Sequence, residues 1–436
     1  MKLFFKKLLE KKLRFFARRI IKKYQPDVIG VTGSVGKTST KEAIFCVLSK
    51  RFSVRRNLKN YNNEIGVPLT IIDIESGKKS LIGWFKVFFK ACKLIIFRCA
   101  YPKILVLEMA ADKPGDIEYL VDFVPCRVGI ITAIAPVHLE FFKELENVVK
   151  EKAKIISHLE KDDFALLCAD DELVIGLKDK TKASVSTYGF SDEAEIKGTE
   201  VQISFSRNQD QDSIKKQEIR GLSFKISYQG STIPFFQPGV LGQHQAYSAL
   251  AACAVGLAYG LNLSEISEAL RDFKSPPGRM NLIKGIKETL IIDDSYNSSP
   301  KAAIAALEVL DKIPLEKGSK KYVALGDMAE LGNFTEEGHK MIGREVVKYA
   351  DILLTVGEKA RMIADEAVKS EMKEENVFSF DKAEELGKFL QDRIHQNDLL
   401  LIKGSQVSRM EKVVKELMAE PLRASELLVR QGKEWN

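Results

Sequence analysis

The stretch DVIGVTGSVGKTSTKEAIFCVLSK, residues 27–50, constrains this chain more than any other. A short apolar run leads into a loop holding Gly33 and Gly36, then Lys37-Thr38, then a helical pattern. Strand, glycine-rich turn, Lys-Thr and helix form an arrangement that cradles phosphate. The glycines let backbone amides approach phosphate oxygens. Lys37 neutralises the terminal phosphates, the Thr38 hydroxyl is placed for Mg²⁺, and the helix N-terminus adds partial positive charge. The candidate nucleotide cradle is therefore Thr32, Gly33, Ser34, Val35, Gly36, Lys37, Thr38 and Ser39. The match to GxxxxGK[ST] is not literal, because Val31 stands where the first Gly would be. The alternative is a glycine-rich strand-to-helix turn without a ligand.

The chain has 436 residues, enough for two or three domains. After the helix of residues 1–25, residues 26–278 read as one α/β domain with a mainly parallel sheet and a β-richer patch around 183–240. Its polar run RNQDQDSIKKQE, 207–218, reads as a hairpin loop or an exposed excursion. SPPGR at 275–279 marks the boundary, and residues 279–436 alternate strands (TLIIDD, YVALGD, ILLTVG, DLLLIKG) with helical stretches. That predicts a second, doubly wound α/β domain. Glu108 ends the apolar strand KILVLE, which puts its carboxylate where open α/β sheets bind ligands and where a hard oxygen suits Mg²⁺. An exposed strand-end acid is the alternative. His138 ends the run VGIITAIAPVH.

The net charge of +7 conceals an uneven distribution. Residues 1–24 hold ten Lys or Arg and one Glu, a sum of +9, so the rest carries 7 − 9 = −2. A slightly acidic body with one basic segment does not resemble a nucleic-acid binder. In that segment Phe5, Leu9, Leu13, Phe16 and Ile20 fall on one helical side, with Lys7, Lys11, Arg14, Arg18 and Lys22 on the other. Such a helix either lies in an anionic membrane interface or docks on the protein's own body. GWFKVFFKACKLIIFR, residues 83–98 within a 77–103 insertion, is similar. Trp84, Phe85, Phe88, Phe89, Ile95 and Ile96 share one face, with Lys86, Lys90 and Lys93 opposite. The six cysteines make no CxxC pair, which fits reduced, mostly buried thiols in a cytoplasmic protein rather than a zinc site. Peripheral placement on the inner face of the cytoplasmic membrane stays open.

TGSVGKT resembles the phosphate loop of the Mur ligases, ATP-dependent enzymes of peptidoglycan precursor synthesis. NYNNEIGVPLTI (60–71), LEMAADKPGDI (107–117), TAIAPVHLEFF (132–142), GQHQAYSALAA (242–252), IIDDSYNSSPKA (291–302), LGDMAELG (325–332) and IKGSQVSRME (402–411) are similar to motifs of that family in the same order. DDSYNxxP, GDMxELG and NNxIGVPLT together resemble its MurF branch, which adds D-Ala-D-Ala. The resemblance implies a peptide ligase that uses ATP and Mg²⁺, two ions in the family, together with a carbamylated lysine. Lys37, Glu108, His138 and Lys152 become the catalytic candidates, with Thr38, Glu108, His138 and Lys152 around the metal. Lys150 and Lys154 are neighbouring alternatives to Lys152. Gln245, Asp294 and Asn297 match nucleotide positions; Asn62, Asn63, Lys403, Gly404, Ser405 and Arg409 match positions facing the muramoyl peptide precursor or the dipeptide.

Departures accompany these matches. The family normally begins with a domain that holds the UDP-sugar, whereas here the phosphate-loop strand starts at residue 27. The implied consequence is a substrate held otherwise, by a cell-wall synthesis partner or on a lipid at the membrane surface. Gln245 and Ser248 replace two Asn, and Gln406 replaces an Arg for which Arg409 is the available substitute. Other readings are a MurT-like or poly-glutamate type of amide ligase, and a membrane-attached ATP-binding scaffold.

Overall fold

The computed structural model of the protein describes residues 2–58, 60–136, 139–206, 218–432 and 435. The chain divides into two compact units. The first comprises residues 1–201, 224–236 and 245–273; the second comprises 202–223, 237–244 and 274–436.

In chain order the first part runs α1 (Lys2–Tyr24), β1 (Asp27–Thr32), α2 (Lys37–Leu48), β2 (Val54–Arg56), α3 (Gly66–Ile72), α4 (Leu81–Ile96), β3 (Ile104–Glu108), α5 (Asp116–Val121) and β4 (Val128–Ile131). It continues through α6 (Leu139–Phe142), α7 (Leu145–Ser157), β5 (Phe164–Cys168), α8 (Glu172–Ile175), β6 (Ser184–Gly189), β7 (Ile196–Phe205), β8 (Ile219–Tyr228), β9 (Ser231–Pro238) and α9 (Gln243–Ala258). These strands form a sheet in the order β2-β3-β1-β4-β5-β6-β7-β8-β9. The pairs from β2 to β7 are parallel. Strands β1, β3 and β4 are nearly unbroken Val/Ile/Leu runs because helices cover both faces of such a sheet. Chain order reverses around β1, which lies between β3 and β4. The crevice beyond its C-terminal end is where an open α/β sheet takes a ligand.

The second unit holds β10 (Asn281–Lys284), β11 (Leu290–Asp294), β12 (Lys321–Gly326), β13 (Ile352–Val356), β14 (Val377–Phe380) and β15 (Leu399–Lys403). Their order is β10-β11-β15-β12-β13-β14, with only β10 antiparallel. The sheet is sandwiched by two apolar clusters, one around Ile292, Val323 and Leu401, the other around Ile291, Ala324 and Leu400. Alternate residues of each strand feed opposite clusters.

Helix α1 docks on the body. Leu13, Ala17 and Ile20 are fully buried, and the Phe16 ring lies 5.7 Å from that of Phe88 on α4. Arg14, expected on the solvated side, instead pairs with Asp122 and stacks 4.8 Å over Tyr119. The apolar arc expected on α4 is divided. Its buried side is set by Val87, Ala91 and Leu94, Phe88 meets α1, and Phe85, Phe89 and Ile96 face solvent. Lys90 is drawn to Asp73, 3.0 Å away. The Lys23 ammonium caps the α4 carbonyls of Leu94 and Ile95 at 2.9 Å. The polar run 207–217 and His138 lie outside the described residues.

Candidate active site

Thr32 closes β1, and Gly33 turns the chain at φ 147°. A Cβ there would stand 2.0 Å from Thr132 Oγ1 and 3.1 Å from the Ala133 carbonyl oxygen, so only glycine fits. The Thr132 hydroxyl donates to Val35 O at 2.6 Å, with Thr32 O 3.2 Å from the same oxygen. Ser34 is held from the same side: its amide donates to Ala133 O at 2.6 Å and its hydroxyl to Ala135 O at 3.0 Å. Gly36, at φ 86°, leads into α2, whose first turn carries Lys37, the half-buried Thr38 and the buried Ser39. The loop is thus shaped by the segment after β4.

Two lysines meet on one carbonyl of this loop. Lys37 Nζ donates to Gly33 O at 2.7 Å and to Ser34 O at 3.2 Å. Lys152 Nζ, from α7, donates to the same Gly33 O at 3.0 Å. Lys152 is 2% exposed. Burial, with the Lys37 charge beside it, brings its ammonium down to about 7. Its two neighbours differ: Lys150 pairs with Glu146 at 2.7 Å and Lys154 with Glu118 at 3.3 Å, both on the surface. Lys152 alone of the three is withdrawn from water.

Glu108, 4% exposed, sits at the end of β3, its Cα in register with Val31. Its carboxylate accepts from Asn62 Nδ2 at 3.0 Å. Lys41 Nζ lies 3.8 Å from the other oxygen and donates to Asn57 O at 2.7 Å. Asn57 brackets Glu108, donating to its carbonyl and accepting from its amide, each at 2.9 Å. Asn63 Oδ1 accepts from Ile65 N (3.2 Å) and Gly66 N (3.0 Å), capping the start of α3. Gln245 is buried on α9, near Ser248, whose hydroxyl is 3.4 Å from that of Thr40. Among the described residues no group of three or more His, Cys, Asp or Glu gathers as a cage. Mg²⁺ characteristically takes one or two carboxylates and completes its shell with phosphate oxygens and water, so Glu108 and Thr38 beside the phosphate loop fit that ion.

In the second unit the strand ends again carry the polar groups. Asp294 and Lys403 are register partners on β11 and β15. Lys403 Nζ lies 2.6 Å from Asp294 Oδ2 and 2.9 Å from Asn297 O. Asp293, one residue earlier, is fully buried, and burial pushes its carboxyl up to about 7. The adjacent aspartates therefore differ: one is paired with a cation, the other tends toward the neutral acid. Gly404 lets the chain after β15 approach the end of β12, since a Cβ would stand 3.1 Å from Gly326 Cα as well as 2.5 Å from Met410 Cγ. Ser405 N donates to Asp327 O at 3.0 Å. Arg409 is engaged within the unit, donating to Glu411 at 2.6 Å and to Trp435 O at 3.0 Å.

Thr132, Lys41 and Asn57 do not stand out in the sequence as site residues. Two signals were available. Thr132 follows β4 at the position where Thr32 closes β1, and Lys41 occupies an otherwise apolar stripe with Ile44 and Leu48.

A family model for the Mur ligase middle domain matches residues 31–84 and 87–256, and one described as the Mur ligase glutamate ligase domain matches 278–406. The chain belongs to the Mur ligase family. Within it, the chain is 29% identical over 411 residues to the UDP-N-acetylmuramoyl-tripeptide–D-alanyl-D-alanine ligase of Bacillus subtilis (strain 168), covering 94% of this chain and 80% of that protein. It is 27% identical to the same-named Escherichia coli (strain K12) enzyme, covering 89% and 76%. Among solved structures, MurF ligase from Thermotoga maritima in complex with ADP superposes with a TM-score of 0.74 at 26% identity, covering 93% of this chain and 83% of that one.

Proposed function

We propose that this chain is an ATP-dependent amide ligase that joins D-Ala-D-Ala to the terminal carboxylate of a UDP-MurNAc-tripeptide in the cytoplasm. The observation that carries the reading is the convergence of Lys37 and the buried Lys152 on Gly33 O. Two cationic centres against a phosphate loop are costly until an anion arrives or one of them changes charge. The relatives' names supply the substrate pair.

In the proposed reaction the substrate carboxylate attacks the γ-phosphorus of ATP, giving an acyl phosphate and ADP. The dipeptide amine then attacks the acyl carbon and loses a proton. The tetrahedral intermediate expels phosphate and leaves the amide. Mg²⁺ would neutralise charge on the phosphates, held by Thr38 and Glu108, with His138 and Lys152 as the further family-implied holders. The loop residues 32–39 orient the triphosphate, and Lys37 follows the transferring group. Catalysis of this kind is mostly positioning and charge neutralisation.

Lys152 supports a specific chemistry. A neutral amine adds to CO₂, forming an N–C bond and releasing one proton, and becomes a carbamate. That change converts a buried cation beside Lys37 into an anion, which Lys37 stabilises instead of opposing. Asn62, which donates to Glu108, is assigned to orienting that carboxylate, while Asn63 shapes the adjoining turn. Asp294 and Asn297 are assigned to the nucleotide, and Lys403, Gly404 and Ser405 to the dipeptide end. Arg409, held by Glu411, would contribute through loop shape. The direct test is mass spectrometry after incubation with UDP-MurNAc-tripeptide, D-Ala-D-Ala, ATP and Mg²⁺. The expected product is the pentapeptide, dependent on ATP; no product with these substrates would refute the assignment.

A further inference from the structure

The side of α4 opposite Val87, Ala91 and Leu94 is open. Along it Ile82 is 71% exposed, Phe85 70%, Phe89 65% and Ile96 70%, with Leu81 at 88% and Phe97 at 61% at the helix ends. Surface apolar residues normally occur singly, and a contiguous stripe marks a contact. The Phe85 and Phe89 rings stack on each other, centroids 6.4 Å apart, and remain exposed on their other sides.

Cations frame this stripe. Residues 78–98 contain six Lys or Arg and no acid. Lys86 and Lys93 are exposed on α4 itself. Next to it runs α1, joined through Phe16 and through Lys12, whose ammonium is 5.9 Å from the Phe88 ring centroid. The outward residues of α1 include Lys11, Lys12, Arg18, Arg19 and Lys22 around an exposed Phe15. No helix is long and apolar enough to cross a membrane among the described residues. We propose that the α1–α4 face of the first unit docks on an anionic lipid surface, with Ile82, Phe85 and Phe89 entering the headgroup–acyl boundary and the surrounding lysines meeting lipid phosphates.

Charge selects this occupant. Interfacial helices combine an apolar stripe with a Lys/Arg margin, because the long stems reach back to the headgroups. Protein interfaces deplete Lys around their apolar centre. A second copy docked by the same face would oppose one basic helix to another.

The test is flotation of the full-length protein with vesicles of phosphatidylcholine alone or with phosphatidylglycerol. Binding is expected to require phosphatidylglycerol and to weaken as salt shortens the screening length below about 10 Å. F85S/F89S should lower partitioning by about tenfold or more, and K11E/R18E by about fivefold per charge. Both variants change only exposed side chains, so their melting temperatures and ATP turnover on soluble substrates should match the parent. Equal partitioning onto both vesicle types, or an unchanged F85S/F89S variant, would overturn the proposal. So would a lipid-free dimer in sedimentation velocity that F85S/F89S dissociates, since that would assign the face to a second copy. If one variant misfolds, the other still decides.

Discussion

In the proposed chemistry Lys152 changes charge, and its burial makes a signed pH prediction. Its folded value of about 7 lies below the ~10.4 of an unfolded lysine. Between those values the unfolded chain binds a proton that the fold does not, so Lys152's contribution to stability rises with pH across that window. Below about pH 7 both states hold the proton, and the full cost of burying the cation remains. In bicarbonate-free buffer the melting temperature of K152M relative to the parent should therefore be higher at pH 7 than at pH 9. With ¹³C-bicarbonate, the parent should show a carbamate resonance that grows as pH rises through 7 and is absent in K152A. Turnover of K152A should fall by about 100-fold or more, and that of K37A by about 100- to 1000-fold, as when a preorganised charge-stabilising donor is removed. A K37A enzyme with unaltered kcat would remove Lys37 from the reaction. The place of Lys37 at the start of α2 was legible in the sequence, because the glycine spacing and the helical pattern after it mark the turn. The choice among Lys150, Lys152 and Lys154 was not, since i, i+2 and i+4 on a helix differ only by which side meets the body.

At the scale of elements, the phosphate loop is held by the strand end beside it. Gly33→Ala would drive a Cβ into Thr132. It should lower stability by about 2 kcal/mol or more, read as a reduced urea midpoint of the first unit's transition, together with lost ATP binding. Thr132→Val should keep the fold but weaken nucleotide affinity, since the Val35 carbonyl of the loop loses its donor. In the second unit, removing one member of the Lys403–Asp294 pair strands a buried charge. K403M should cost about 3–5 kcal/mol, and a K403M/D294L double variant clearly less; equal losses would show that the pair is not coupled. The strands themselves were readable, because a parallel sheet covered on both faces demands continuous apolar runs such as VIGV and ILVLE. The inward side of α4 was not readable. The helix carries apolar residues on most of its circumference, and which of them are covered is set by tertiary contacts, such as that of Phe88 with Phe16 of α1, that no local pattern encodes. Asn57 was also out of reach: its importance lies in long-range hydrogen bonds to Glu108 that no local pattern encodes.

At the scale of the whole chain, each unit brings its own polar groups: the phosphate loop, Glu108 and the helical Lys152 in one, Asp294 and Lys403 in the other. The charge is divided as unevenly as the chemistry, with +9 in the first 24 residues against −2 elsewhere. ATP turnover should depend on both organic substrates, because the first must receive the phosphoryl group and the second must release it. The central claim is that the γ-phosphoryl group passes through a substrate carboxylate, and one measurement addresses it directly. UDP-MurNAc-tripeptide labelled with ¹⁸O in its terminal carboxylate is turned over with ATP, Mg²⁺ and D-Ala-D-Ala, and the released phosphate is examined by mass. The account predicts one ¹⁸O in the phosphate for each pentapeptide formed. Unlabelled phosphate accompanying product would contradict it.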